Sequence, residues 1–494
     1  MKRNVLVLLI GTISGMAVMG ADAPSKTVSR TKLPEAVLPF TRVSPEVLRQ
    51  SPKKVFGHYF TQFPLSIDNR NPKEDYYEKH YLDPAGEDGK HRSYGGFLRQ
   101  RPLPREPRAE KDWFERNLEE EVRSAIAIGL DGFACDILQY EGYHRDRVGM
   151  LLDAASRVDS DFKIMLMPDM EAAFKSEPEK LVGCIRELAR HPAVFRLDDG
   201  KAVVSPFNAQ NQTAAWWKDW GSEMERGGMD IALVPLFQDW KRFAEDFKPI
   251  SYGFSDWGWR HALGHEKWIK TAREAHEYVQ IWMAPVAPQD MRPRSLSYWE
   301  SANSENFRTM WENAIEGGAD WAHLITWNDY SEHSVIAPST GTQHAFYDLT
   351  AYYTAWFKTG KQPMITRDVL YYFHRLQSTS ARPDLTRQTG TFEIRPPGYS
   401  EALDEIELLA FLTSPGTLQI EIAGQKHEME APAGISSFCV PLSTGRPEFG
   451  LLRGGKQAVS VRSAFAISDR IMYQNLLYHG GSSSRSPIAD SSAR

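Results

Sequence analysis

Apolar residues along this chain fall in short runs that alternate with segments of helical spacing. Runs typical of buried parallel strands lie at residues 55–60, 129–138, 162–170, 202–207, 231–237, 251–257, 279–286 and 321–327. Apolar side chains recur at three- and four-residue intervals in the segments between and after them, at residues 113–128, 145–158, 178–190, 216–226, 306–316 and 345–357. The alternation predicts an α/β fold, a (β/α)8 TIM barrel at residues 53–380.

An open, doubly wound sheet is the alternative arrangement of the same pattern. Its usual mark is a glycine-rich phosphate-binding turn after the first strand. No such turn follows residues 55–60, where a long polar insertion at residues 61–110 begins instead. The barrel is therefore the favoured prediction.

The pattern changes after residue 380. Short runs at residues 391–394, 405–412, 417–422, 437–440 and 458–461 alternate with a period of two and are separated by turns with glycine and proline. They predict a small C-terminal all-β sandwich at residues 381–479. Residues 480–494 are rich in glycine and serine and are predicted to be a disordered tail.

The amino terminus has the order of a secretory signal peptide. Lys2 and Arg3 precede an apolar segment at residues 5–19, and small residues follow at positions 20, 21 and 23. The segment is short for a membrane-spanning helix, and no later apolar run reaches that length. We expect residues 1–23 to be a signal peptide, cleaved or kept as an anchor, and residues 24–52 to be a flexible lead-in. The protein is then secreted or periplasmic, with no membrane partner after signal removal.

Composition narrows the classes of function. The 494 residues carry a net charge of −6, which gives no basic footprint for nucleic acid. The three cysteines have neither metal-ligand spacing nor the pattern of a disulfide framework. Because zinc, P-loop, nucleotide and flavin motifs are also absent from the sequence, we expect no metal and no other cofactor.

Carboxylates, amides and aromatic residues follow the carboxyl ends of the predicted strands. A barrel presents those ends at one face, where its chemistry takes place. Glycosidic cleavage needs one carboxylic acid to protonate the leaving oxygen and one carboxylate to activate water or attack the sugar. The inventory therefore predicts a glycoside hydrolase with Asp329 and Glu332 as catalytic residues. The expected substrate-binding residues are His58, Asp131, Asp136, Asp169, Gln238, Asp256, Trp257, Trp327, Asn328, Tyr330 and His333.

Four of these residues also have a structural interpretation. Asp169 has the position and type of a helix N-cap. Asp131 stands before Gly132 at the start of an apolar run, as a turn residue at the opposite face of a barrel does. Asp136 fits an inward polar position in the same run, and His58 fits a hydrogen-bonded core histidine. Asp329 and Glu332 have no comparable structural explanation.

Four segments resemble glycoside hydrolase family 71, the α-1,3-glucanases also called mutanases. They are residues 55–60, 129–134, 162–170 and 326–332, and the last, Thr-Trp-Asn-Asp-Tyr-Ser-Glu, is the most specific. The resemblance covers residues 54–380 and implies an endo-acting, inverting hydrolase whose substrate partner is α-1,3-glucan. It implies that Asp329 and Glu332 are the catalytic carboxylates. As a hypothesis, Glu332 is the general acid and Asp329 positions or activates water.

Two other functions stay open at this point. A barrel glycosidase of another specificity, similar to an endo-α-mannosidase, shares the strand-end carboxylates but brings another from the middle of the barrel. A catalytically silent carbohydrate-binding barrel keeps the scaffold without the chemistry. The presence of both Asp329 and Glu332 argues against the silent barrel.

Overall fold

The structure is a computed structural model that describes residues 38–261, 264–396 and 401–486. The predicted signal peptide and the first part of the lead-in, residues 1–37, lie outside the described residues. The rest of the lead-in is not a free segment, which corrects the sequence-based expectation. Ser44 caps a short helix, Pro45–Arg49, and the apolar side chains of Phe40 and Leu48 are buried. Burial of these two side chains orders a segment whose polar composition predicted flexibility.

Parallel strands form the larger part of the fold. In chain order the strands of this region are β1 (Lys54–Tyr59), β2 (Gly132–Ile137), β3 (Lys163–Pro168), β4 (Ala202–Val204), β5 (Ile231–Leu233), β6 (Leu236–Phe237), β7 (Gly253–Asp256), β8 (Ile281–Val286), β9 (Met291–Arg292), β10 (Ser297–Trp299) and β11 (Trp321–Leu324). All except β9 and β10 belong to one sheet, in the order β5-β4-β3-β2-β1-β11-β8-β7-β6. Every predicted apolar run of this region overlaps at least one strand of the sheet.

The two ends of this sheet meet. Strands β5 and β6 stand at opposite ends of the order, yet only Val234 and Pro235 separate them in the chain. Phe207, just after β4, also bridges Leu236 of β6 in parallel. The two end strands are therefore consecutive pieces of chain, and the parallel core has a barrel-like form.

Side chains of successive strand residues point to opposite sides of this sheet. Val55 and Phe133 join the large core between the strands and the helices. Their neighbours Phe56 and Ala134 join a second core with Met165 and Met167, on the other side of the sheet. The same alternation places the polar residues of β1, β2 and β11 on the inner side, with this second core.

The helices cover the outside of the sheet. The longer ones are α1 (Trp113–Ala127), α2 (Tyr143–Val158), α3 (Leu181–Leu188), α4 (Ala214–Arg226), α5 (Glu305–Glu316) and α6 (Ala345–Thr359). Helix α4 illustrates how the sequence sets their bounds. The Thr213 hydroxyl accepts a hydrogen bond from Trp216 N at 3.1 Å, as an N-cap does, and Gly227 follows the last turn. Its buried residues Trp217, Trp220 and Met224 share one face.

The remaining strands of the described chain pair antiparallel, except for one short strand that lies parallel to β10. They are β12 (Val369–Arg375), β13 (Glu393–Arg395), β14 (Glu405–Leu412), β15 (Gly416–Ile422), β16 (Gln425–Ala431), β17 (Gly434–Pro441), β18 (Glu448–Arg453), β19 (Lys456–Arg462) and β20 (Tyr478–Ser482). One four-stranded sheet has the order β17-β14-β12-β20 and another β16-β15-β18-β19, while β13 joins β9 and β10. Residues from both four-stranded sheets, such as Leu408 and Ile420, belong to one buried cluster.

The limits of this β region differ from the sequence prediction. Strand β12 lies within the residues assigned to the barrel but pairs with β14 and β20. Residues 480–482 were expected in a disordered tail and instead belong to β20. The reason is that Gly480 and Gly481 are packing positions, because a Cβ on Gly481 would lie 2.4 Å from the Tyr372 hydroxyl. Residues 487–494 lie outside the described residues.

Candidate active site

The turn that follows β11 fixes two carboxylates at the carboxyl end of the sheet. The Asp329 carboxylate accepts three hydrogen bonds on Oδ1, from Ser331 N at 2.8 Å, Ser331 Oγ at 2.7 Å and Glu332 N at 3.0 Å. Asp329 N donates to Thr326 Oγ1 at 2.7 Å. Since all three bonds reach Oδ1, a water molecule or a proton can interact with Oδ2 without displacing them. The turn therefore sets the backbone of Glu332 directly against the Asp329 carboxylate.

Glu332 has a different environment from Asp329. Its Oε1 pairs with Arg292 Nη1 at 2.8 Å, and Met291 N donates to its backbone carbonyl at 2.9 Å. Its Oε2 is buried and has no hydrogen-bond partner within the described part of the chain. Burial raises the pKa of Glu332 to about 8, with the Asp290 and Asp329 charges acting in the same direction and Arg292 opposing them. Burial therefore favours the protonated form of Glu332, against the attraction of Arg292 for the ionised form.

Burial also raises the pKa of Asp329, but with an opposing influence. The hydrogen bonds from Ser331 and the Glu332 backbone stabilise the ionised form, and the positive charge of Arg292 acts in the same direction. The two carboxyl groups thus differ in what surrounds them. Asp329 accepts hydrogen bonds that stabilise its ionised form, whereas Glu332 Oε2 has no donor among the described residues.

A chain of three polar side chains lies on the inner side of the sheet, below the two carboxylates. Asp136 Oδ2 is 3.1 Å from His58 Nε2, and His58 Nδ1 is 3.2 Å from His323 Nε2. Burial lowers the pKa of His58 to about 3 and lowers that of His323, so both imidazoles are neutral. Burial and then the charge of Asp329 raise the pKa of Asp136 well above its usual range. Asp136 is therefore close enough to Asp329 to respond to its charge.

Two further predicted residues lie at neighbouring strand ends. Asp169 Oδ1 accepts from Glu171 N at 2.7 Å, which fixes the turn after β3, but Asp169 is not the N-cap considered from the sequence, because the next helix, Ala173–Ser176, has Ala172 at that position. Burial and the charge of Asp136 raise the pKa of Asp169 to about 8. Gln238 is exposed after β6, and its Nε2 donates to Asn208 Oδ1 at 2.9 Å. Carboxyl and amide groups from β2, β3, β4 and β6 thus share one end of the sheet.

Strand β7 contributes an aromatic residue and a capping carboxylate. The Trp257 ring lies edge-on to His58 at 5.1 Å and to Phe207 at 4.8 Å. Asp256 accepts from Trp240 N at 3.2 Å and from Gly258 N at 3.1 Å, and burial raises its pKa to about 6. Trp257 therefore joins the site, whereas both oxygens of Asp256 hold the local chain.

Asp131 does not lie at this end of the sheet, and its assignment to substrate binding is wrong. It precedes β2 at the amino end of the strands. Its oxygens accept hydrogen bonds from Lys358 Nζ at 2.6 and 2.7 Å and from Val55 N at 2.7 Å. It is a structural anchor between β1, β2 and α6, as the alternative interpretation of the sequence held.

Four residues of the last motif also turn away from the site, which corrects their expected role in substrate binding. Trp327 is buried with Phe133, in the core between strands and helices. Tyr330 is 1% exposed and packs edge-on against Phe63. The aromatic faces of both are therefore covered by protein.

The amide and the imidazole of the motif are likewise satisfied within the protein. Asn328 accepts from Phe60 N at 2.8 Å and donates to the carbonyls of Phe60 and Phe63 at 2.9 Å. His333 Nδ1 donates to Met291 O at 2.8 Å, and its Nε2 accepts from Arg99 N at 2.8 Å. Asn328 fixes the loop after β1, and His333 fixes the polar insertion.

Sequence reasoning missed the groups that surround Glu332 and His58. They are Arg260, Asp290, Arg292 and His323. His323 carried a usable signal, because it is polar at an inward position between Trp321 and Ile325. Arg260 and Asp290 follow β7 and β8 in irregular chain, and Arg292 ends the two-residue strand β9, so no periodicity indicates the direction of these side chains. Within the described ranges, no group of three or more histidine, cysteine, aspartate and glutamate side chains is arranged to hold a metal ion.

Comparison with known proteins gives consistent matches. The sequence model of Glycosyl hydrolase family 71 matches residues 108–489 of this chain. A mutanase from Penicillium rubens is 25% identical over 397 residues, covering 75% of this chain and 86% of the relative. A glucan endo-1,3-alpha-glucosidase from Schizosaccharomyces pombe is 25% identical over 390 residues, covering 74% and 90%. Among solved structures, a GH99 endo-alpha-mannosidase from Bacteroides thetaiotaomicron aligns with a TM-score of 0.46 and 14% identity, over 62% of this chain and 98% of that one.

Proposed function

Because this chain belongs to glycosyl hydrolase family 71, as its resemblance to the α-1,3-glucanases implied, we propose that it hydrolyses α-1,3-glucan or a related α-linked polysaccharide by an inverting mechanism. It is a glycoside hydrolase, and two relatives of similar length are named for mutanase and endo-1,3-alpha-glucosidase activity. The observation that carries the mechanism is the unequal environment of Asp329 and Glu332 within one turn.

Glu332 is the general acid in this proposal. Its proton moves to the glycosidic oxygen as the bond between that oxygen and the anomeric carbon breaks. Asp329, stabilised as a carboxylate by three hydrogen bonds, accepts a proton from the water that attacks the opposite face of the sugar. The product has the inverted, β configuration, and exchange with solvent restores both groups. Two carboxyl groups in unequal environments are what such a division of roles requires.

The fold and location complete the proposal. We assign the parallel core to a closed (β/α)8 barrel, supported by the meeting of β5 and β6 in the chain. We assign the two four-stranded sheets to an accessory β-sandwich, supported by their common buried cluster. Secretion or periplasmic location rests on the sequence of residues 1–23. Among the described residues, the helices are all too short or too polar to cross a membrane.

Substitution of the two carboxylates tests the site. Asp329→Asn and Glu332→Gln are each expected to lower the release of reducing ends from insoluble α-1,3-glucan by about 100- to 10,000-fold. Glu225→Gln, an exposed glutamate on helix α4, is the matched control and should keep wild-type activity. A variant of either catalytic residue with full activity would reject the assignment.

Stereochemistry and substrate need separate measurements. Proton NMR of the first product should show the β-anomer, and initial release of the α-anomer would exclude inversion. A panel of soluble and insoluble α- and β-glucans, assayed for reducing ends, then defines the linkage. Wild-type activity confined to β-glucans would refute the proposed substrate class.

A further inference from the structure

Arg292 lies between Glu332 and a second buried carboxylate, Asp290. Its Nη1 is 2.8 Å from Glu332 Oε1, while its Nε and Nη2 donate to Asp290 Oδ1 and Oδ2 at 2.8 and 2.7 Å. The bidentate pair leaves the guanidinium little rotational freedom. Arg292 thus binds Asp290 through two nitrogens and Glu332 through a third.

The surroundings hold this arginine in place. The Arg292 guanidinium lies 4.7 Å from the centre of the Trp299 ring, and Trp299 N donates to the Asp290 carbonyl at 2.9 Å. Arg260 Nε is 3.5 Å from Asp290 Oδ2, and Arg260 Nη1 donates to Trp257 O at 2.6 Å. The backbone bond from Met291 N to Glu332 O joins the same segment to the catalytic turn. Contacts on several sides therefore fix the guanidinium relative to Glu332.

We propose that Arg292 is a positioning residue for the general acid: it holds Glu332 Oε1, so that the transferable proton resides on Oε2. This inference rests on the proposed role of Glu332. A guanidinium has no acceptor, so the oxygen that faces it stays unprotonated. The other oxygen is the one without a partner in the described structure. When the Oε2–H bond breaks and the proton passes to the glycosidic oxygen, the charge that develops on Glu332 already faces Arg292.

The charged groups around Glu332 act in opposite directions. Asp290 and Arg292 come from the chain after β8, Arg260 from the chain after β7, and Asp329 from the catalytic turn itself. Both arginines lower the pKa of Glu332, and both aspartates raise it, whereas burial sets its overall upward direction. Removing Arg292 should therefore keep Glu332 protonated to higher pH, and neutralising Asp290 should release its proton at lower pH. A purely structural role predicts no such opposition.

The pH dependence of kcat/KM provides the test, because its basic limb reports ionisation of the acid in the free enzyme. For Arg292→Gln we expect this limb to move up by about one pH unit or more, with kcat reduced about 10- to 100-fold. For Asp290→Asn we expect it to move down. Arg292→Lys keeps the positive charge but not the planar guanidinium that binds both carboxylates. The basic limb should therefore return to its wild-type pH, while kcat stays reduced. Arg294→Gln, on the exposed neighbouring position, is the matched control and should change neither.

A second readout separates this inference from the proposed function. Infrared difference titration, with Glu332→Gln as the subtraction, follows the carboxyl of Glu332 without any turnover. Shifts of the same sign in Arg292→Gln and Asp290→Asn, or no shift in Arg292→Gln, would overturn the positioning role. An inactive wild type with opposite infrared shifts would instead reject the glucan substrate and leave the positioning arrangement standing. If Asp290→Asn does not fold, the comparison of Arg292→Gln with Arg292→Lys decides.

Discussion

Replacing Asp131 should destabilise the protein and spare its chemistry. The carboxylate holds Lys358 Nζ through two short hydrogen bonds and Val55 N through a third, all at the amino end of the strands. The Lys358 side chain is fully buried, so an asparagine at position 131 leaves an ammonium group with no countercharge. A role in binding substrate predicts the reverse, with activity lost and stability kept.

The size of the effect follows from the environment of the pair. Breaking a buried ion pair by removing one partner costs about 3–5 kcal/mol. Asp131→Ala also leaves Val55 N without its acceptor, which adds about 1–3 kcal/mol. The double variant Asp131→Asn, Lys358→Met removes both charges and should recover much of the loss. The coupling between the two positions should therefore be several kcal/mol in a double-mutant cycle.

Two measurements on the same samples decide the matter. Urea unfolding followed by tryptophan fluorescence gives the free energy of unfolding, and reducing-end release gives kcat/KM per folded molecule. Asp131→Asn should unfold at lower urea with kcat/KM within about twofold of the wild type. Glu332→Gln should show the opposite pattern. If Asp131→Asn keeps wild-type stability and loses activity, the structural assignment is wrong.

Three further predictions concern packing, pH and the loop after β1. A Cβ on Gly132 would lie 1.8 Å from the Lys163 carbonyl oxygen, so Gly132→Ala should prevent folding. A Cβ on Gly183 in helix α3 meets nothing within 4 Å, so Gly183→Ala should raise the free energy of unfolding by about 0.5–1 kcal/mol. Thermal unfolding compares the two variants. Burial lowers the pKa of His58 and His333 to about 3 from 6.5, so the unfolded chain binds more protons below pH 6.5. Each of these histidines should therefore lower the free energy of unfolding by about 1.4 kcal/mol per pH unit as the pH falls from 6.5 toward 3. Urea unfolding measured at a series of pH values tests this, and a constant free energy of unfolding would contradict it. Asn328→Ala removes three hydrogen bonds to the Phe60 and Phe63 backbone and should cost about 2–4 kcal/mol, measured against Asn328→Asp, which keeps one acceptor.

The parallel core was predictable because its strands are buried on both faces. A continuous apolar run marks such a strand wherever it lies in the chain, and all the predicted runs overlap strands of the sheet. The small antiparallel region was predictable from its two-residue alternation. Its limits were not, since β12 and β20 come from segments that resemble the end of a barrel and a glycine-rich tail. The glycine-rich segment is recognised as strand β20 only from the packing of Gly480 and Gly481 against Phe373 and Tyr372.

The candidate site was predictable in its centre and not in its surroundings. Residues 327–333 are adjacent in sequence, but the turn directs Asp329 and Glu332 to one side and Trp327 and Tyr330 into the outer core. Composition identifies the residue types that chemistry needs, yet it carries no direction for a side chain in irregular structure. The residues that tune Glu332 come from two other segments, so no local pattern connects them to it.

The electrostatics of the site limit how many of its acids can be ionised at once. The charge of Asp329 acts on Asp136 and Glu332, the charge of Asp136 acts on Asp169, and the pKa of all three is raised. Only Asp329 has three donors on one oxygen, so a single negative charge among the four is best placed there. That charge in turn keeps a proton on Glu332 and on Asp136. In the proposed mechanism, the carboxylate that activates water thus helps to keep the acid that cleaves the bond protonated, because like charges in a buried site cannot all form together.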